Sequence, residues 1–149
     1  MGLVFADIEI TNLEDVILAK AGHLPSKKIR RMTVRMMVDS GAIMMAINEE
    51  IQAQLGLSVT ERLLVQLADG TPLELDVVGP LEARFGDRSS LVTALVLPGS
   101  AEPLFGAIPM EYMDLIVDPA KQTLGPHPSR PIRPMVSLKR ARTFFSSHV

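Results

Sequence analysis

The sequence predicts a mainly β domain with one or two short helices, and three observations carry that prediction. Residues 30–38 alternate, with Met32, Val34, Met36 and Val38 on one face and Arg31, Thr33 and Arg35 on the other, which is the two-residue period of a half-buried strand. Two hairpin signals follow, Asp69-Gly70 and Gly86-Asp87, each between strand-like apolar runs. The main helical signals fall in two short stretches, 11–22 and 47–56. The 149 residues suit a single core, and the 47% apolar and 21% charged composition is that of an ordinary globular chain.

Taken in order, residues 3–10 (LVFADIEI) have strand composition, and the stretch after them starts a helix. Thr11 or Asn12 is its candidate N-cap, acidic residues fill its first turn, and Gly22 is its stop. After the alternating strand at 30–38 stands Asp39. The period then changes: Ile47, Ile51 and Leu55 recur at fourfold spacing, with Asn48 as a cap and Gly56 as a terminator, so a helix of two to three turns is expected there. Residues 62–79 predict a protruding hairpin with its tip at Asp69-Gly70, and 80–99 predict a second hairpin turning at Gly86-Asp87. Leu104, Phe105 and Gly106 then form an apolar-apolar-glycine element before a short helical turn and a last strand. The folded body is expected to span 1–124. Residues 125–149 are read as a flexible, proline-rich basic tail, with four prolines in 125–134 that supply no ladder donors, and Phe144-Phe145 near a frayed end.

Composition excludes several chemistries. Without cysteine there is no disulfide framework, zinc–thiolate site or thiol nucleophile, and His23, His127 and His148 are too scattered for a ligand cluster. No cofactor or metal is predicted. The N-terminal residues carry Asp7 and Glu9 and lack a basic n-region, and no stretch approaches the roughly 18 apolar residues of a membrane span. The reading is a cytoplasmic protein with no membrane partner. Charge is uneven: residues 1–124 hold 10 basic and 17 acidic side chains, while 125–149 hold 5 basic and none acidic. A nucleic-acid contact by that tail, or by Lys27, Lys28, Arg30, Arg31 and Arg35, ranks below solvated surface in both places.

The segment VRMMVDSGAIMM, residues 34–45, carries the chemistry. A lone Asp-Ser-Gly is usually a turn. Here it follows an alternating strand, precedes small Ala42 and a helix, and is trailed by a glycine-tipped hairpin and then by Leu104-Phe105-Gly106. That order resembles the retropepsin-like aspartic proteases, and more closely their single-domain bacterial relatives, over about residues 3–124.

The resemblance implies a closed, barrel-like retropepsin fold working as a two-fold dimer. Asp39 would be the catalytic carboxylate, Ser40 would lock the loop across the dimer, Gly41 would let backbone approach substrate, and Ala42 would line the cleft. Leu67, Ala68, Asp69, Gly70 and Thr71 would form the flap over a peptide or protein substrate. Leu104, Phe105 and Gly106 would support the active-site loop from below. The mechanism needs an acid and a base, and this chain has one such motif, so two copies must each contribute an Asp39. Two unit charges about 3 Å apart at an effective dielectric near 20 repel by about 5 kcal/mol, so the pair would share one proton. The activity implied is that of an aspartic endopeptidase, and the alternative is a protease-like peptide-binding or scaffolding module without turnover. One departure stands out. In many family members Arg or Asn and then Asp follow the glycine, where this chain has Ala107 and Ile108, so a charged tie at the dimer contact is missing.

Overall fold

Asn12 ends the first strand and starts the first helix. β1 (Phe5–Asn12) buries Ala6, Ile8 and Ile10, and α1 (Leu13–Lys20) begins when the Asn12 side-chain oxygen accepts from the Asp15 N–H at 3.1 Å. Its amide donates to the Leu55 carbonyl at 2.9 Å, so one buried side chain joins three parts of the chain. Gly22, at φ +81°, closes the helix as expected. Asp15 grips Arg30 through both carboxylate oxygens at 2.9 Å, and that guanidinium holds the Asp15 carboxyl below its ordinary range. The predicted basic cluster is therefore partly committed, and Arg35 lies over the Phe5 ring, 4.8 Å from its centroid. The computed structural model describes residues 2–138, so Phe144-Phe145 lies outside the described residues.

β2 (Arg31–Val38) keeps the predicted alternation, with Val34 and Met36 buried. The next element differs from expectation. Ile47 lies not on a helix but in β3 (Met45–Asn48), a strand buried along its whole length and parallel to a later one. Ile47, Ile51 and Leu55 are all buried, as their spacing implies, but the helix itself starts one residue after Asn48, in α2 (Glu49–Leu55). The Asn48 oxygen caps it by accepting from the Ile51 N–H at 3.0 Å, and Gly56 ends it at φ +60°. The periodicity reported burial, and the cap set the boundary.

Both predicted hairpins are present and share one strand. β4 (Val59–Gln66) pairs antiparallel with β5 (Pro72–Phe85), and β5 pairs antiparallel with β6 (Arg88–Leu97) across the two-residue turn Gly86-Asp87. The β5–β6 register shifts between Val78 and Leu81, at Gly79-Pro80, where the long strand can change sheet direction. β7 (Leu104–Phe105), α3 (Ala107–Met113), β8 (Leu115–Asp118) and β9 (Thr123–Pro126) complete the described elements. The main sheet runs β1-β2-β7-β3-β6-β5-β4, and β1 also pairs with β5, so the sheet curls back on itself around Ile8, Met36, Ile47, Leu81 and Phe105. β8 and β9 form a separate two-stranded sheet.

Two long-range contacts position the later elements. At Gly106 the backbone passes so close to the chain after Asp39 that a Cβ would lie 2.4 Å from the Met44 carbonyl oxygen and 2.6 Å from that of Ala42. The second gathers the C-terminal residues. Buried Arg88 donates to the carbonyls of Met113 at 2.9 Å, Asp114 at 3.0 Å and Arg130 at 2.6 Å. Asp114 pairs with the Arg130 guanidinium and also accepts from the Met135 N–H. Where composition predicts a free tail from residue 125, the chain instead continues in β9 to Pro126 and is tied down at Arg130 and Met135.

Replacing Gly106 by Ala is expected to destabilise the fold by about 1–3 kcal/mol, because the new methyl meets backbone oxygens rather than a movable side chain. Denaturant unfolding beside wild type measures this. The Arg130 guanidinium, with the Met135 N–H, holds the Asp114 carboxyl down at about 2 against an ordinary 3.8. A depressed folded-state pKa stabilises the protein above the ordinary value, and that contribution is lost as pH falls through about 2. Arg130→Ala should therefore lower the melting midpoint near neutral pH, and the gap from wild type should shrink in melts taken between about pH 4 and pH 2.

Candidate active site

β2 ends one residue before Asp39, and the chain then turns at once. The Asp39 N–H donates to the Phe105 carbonyl at 3.0 Å, and its own carbonyl accepts from the Ala42 N–H at 3.1 Å, so the loop is pinned to β7 and closed on itself. One carboxylate oxygen of Asp39 accepts from the Gly41 N–H at 2.9 Å, and the half-buried side chain is thereby oriented by its own loop. A Cβ on residue 41 would stand 3.1 Å from that oxygen, so any side chain there would crowd the carboxylate. Beyond the turn, the N–H groups of Ala107 and Ile108 donate to the carbonyls of Ala42 at 2.7 Å and Ile43 at 2.9 Å. The start of α3 therefore clamps the loop through its backbone, at the two positions where the charged tie is missing.

Asp39, Gly41 and Ala42 border a cleft of about 780 Å³. The β4–β5 hairpin forms one wall with Leu63, Val65 and Leu75, and the outer face of β6 forms another with Leu95 and Leu97. Leu104 lines it too, while Phe105 and Gly106 are buried behind the loop. Asp39 is the one charged side chain on a lining that is otherwise almost wholly apolar, with Gln66 the polar exception.

The hairpin loop divides between two roles. Leu67 and Ala68 reach the cleft, whereas Asp69, Gly70 and Thr71 form an exposed tip that does not line it. The tip is ordered by its own hydrogen bonds: the Leu67 N–H donates to the Thr71 carbonyl at 2.9 Å, and Asp69 accepts from the Thr71 N–H at 2.9 Å. That second bond lowers the Asp69 carboxyl below its usual range, and Gly70 supplies φ +88°. Ser40 does not border the cleft. It is exposed on a second concavity of about 510 Å³, which Asp39 also borders and which Leu3, Val4, Val117 and Pro119 help to line.

Of the residues singled out from the sequence, Asp39, Gly41, Ala42, Leu67, Ala68 and Leu104 line the cleft, and most of its wall was not among them. Leu63, Val65, Leu95 and Leu97 occupy every second position of their strands, a signal present in the chain, but only the folded sheet tells which face looks at Asp39. Among the described residues, no three His, Asp or Glu side chains come together as a metal site requires. No helix among them is long and apolar enough to cross a membrane.

The family model described as aspartyl protease matches residues 28–110, which is more than half of the chain and includes the Asp39 loop, the hairpin and Leu104-Phe105-Gly106. Among solved structures, the retroviral protease-like domain of Ddi1 from Leishmania major is similar over 86% of this chain and 90% of that one, with a TM-score of 0.53 at 14% identity, a likeness of fold. No curated protein matches the chain. With the motif order, the mainly β fold and the family match in agreement, the chain belongs to the retropepsin-like aspartyl proteases.

Proposed function

We propose that this protein is a homodimeric aspartic endopeptidase in which Asp39 of each subunit supplies half of a catalytic dyad. The observation that carries the reading is the position of Asp39, the charged group on an apolar cleft wide enough for an extended peptide. Its place between two concavities supports the dimer: one side opens toward the flap hairpin, and the other, with exposed Ser40 and Leu3, offers a surface for a second copy. The curled sheet fits the barrel-like protease subunit of this reading.

In the assembled dyad one carboxylate is ionised and the other is protonated. The ionised group takes a proton from the water held between them, and that water attacks the peptide carbonyl carbon. The protonated group gives its proton to the carbonyl oxygen, and the resulting tetrahedral intermediate collapses with a proton delivered to the leaving nitrogen. Leu67 and Ala68 at the hairpin would lie over the bound chain, and closure would exclude bulk water. Backbone clamping by Ala107 and Ile108 holds the loop without the charged tie found in other members, and an apolar substitute for such a network can be neutral in stability.

Asp39→Asn is expected to reduce cleavage of a denatured-protein mixture about 100- to 10,000-fold at pH 4–7 while leaving the oligomeric mass unchanged. A dimer that cuts nothing would favour a peptide-binding module without turnover, and a monomer would mean the dyad is never assembled. The wild-type rate should fall at high pH as the shared proton leaves, and a rate flat from pH 4 to 9 would contradict the dyad.

A further inference from the structure

The outer face of β6 does not stop at the cleft. Leu91, Thr93, Leu95 and Leu97 alternate onto one side of the strand; Leu95 and Leu97 line the cleft, and Leu91 and Thr93 line a separate groove of about 500 Å³. Met44 borders both spaces, so one residue just after the Asp39 loop separates them. The groove is bounded on its far side by Ile108 and Pro109 at the start of α3, and no charged residue lines it. Leu91 is 62% exposed and Ile108 47% exposed, an unusual pair of large apolar side chains to leave facing each other across a groove.

The backbone has a matching opening. β3 pairs with β6 only over Ala94–Leu97, so among the described residues Leu91–Thr93 have no strand partner on that side. A peptide leaving the cleft along β6 would meet main-chain groups outside any ladder and an apolar depression beside them, the two elements by which extended chains add to sheets.

We infer that β6 and the start of α3 form an additional substrate subsite, centred on Leu91 and Ile108, that takes an apolar side chain of the same extended peptide about four residues beyond the one seated at Leu95. The spacing follows from the strand: Leu91 and Leu95 are four residues apart, about 13 Å along an extended chain. The inference rests on the proposed peptide cleft and narrows its substrate class to extended, unfolded segments with apolar residues recurring outside the cleavage site. Charged residues at the outer position are disfavoured, because they would be desolvated against Leu91, Ile108 and Met44 without a partner. In a two-fold dimer the subsite recurs at both ends of the peptide.

The test uses the full chain, an eight-residue apolar peptide, and versions lengthened by four residues at either end, finishing in Leu-Phe or in Glu-Glu. The Leu-Phe extension should lower KM about tenfold with kcat nearly unchanged, and the Glu-Glu extension should not. Leu91→Glu should erase that gain and leave the short peptide's kinetics as in wild type. A gain that persists in Leu91→Glu, or no gain from any extension, would overturn the inference. Fluorescence anisotropy with the same peptides separates this from the proposed activity: if nothing is cut, extension-dependent binding lost in Leu91→Glu still supports the subsite, and equal binding of short and long peptides removes it. A change of oligomeric mass in Leu91→Glu would make the groove a contact between subunits and likewise overturn the inference.

Discussion

The contact between Gly106 and the chain that follows Asp39 is the constraint on which the rest of the site depends. A two-residue strand and a seven-residue helix would be weak elements alone. They are held because β7 joins β2 and β3, and because α3 begins by donating two backbone N–H groups into the Asp39 loop. That interlock needs the carbonyls of Ala42 and Met44 to come closer than any side chain at 106 allows. The catalytic family's loop is thus shaped by main-chain atoms of a segment some 65 residues away in sequence. The replacement of a charged tie by Ala107 and Ile108 alters the side chains there without removing the backbone bonds.

Local chemistry was the most legible part of the chain. Asn12, Asn48, Gly22 and Gly56 act where their types imply, since a cap or a left-handed stop is decided by a few adjacent residues. The two hairpin tips are legible for the same reason. β3 was not, because Ile47, Ile51 and Leu55 satisfy a helical spacing while burial of Ile47 comes from parallel pairing with β6, a contact made across almost fifty residues. The site divides likewise. Asp39, its glycine and the hairpin follow from a contiguous motif order, whereas the wall formed by β6 depends on which side of a twice-paired strand faces the loop. The role of Arg88 had no local signal at all, since its three acceptors lie 25 to 42 residues away.

Surface chemistry and site chemistry are separated along the molecule. The acidic excess of residues 1–124 is spread over exposed positions and cross-strand pairs, as in Arg62 with Glu74 and Asp76 on the outer hairpin, where ion pairs are screened and contribute little. The cleft holds a single carboxylate among aliphatic side chains.

Arg88 gives the C-terminal segment a standing that its composition conceals. Its guanidinium lies in the interior with no carboxylate contact among the described residues, solvated by three main-chain oxygens, and one of those belongs to Arg130. A shortened chain ending at residue 124 would keep the cation and its bonds to Met113 and Asp114 but lose the Arg130 carbonyl, leaving one donor to find water instead. The proline-rich stretch therefore acts as an internal solvent for a charge in the body of the fold, supplying through Arg130 one of the three oxygens around it.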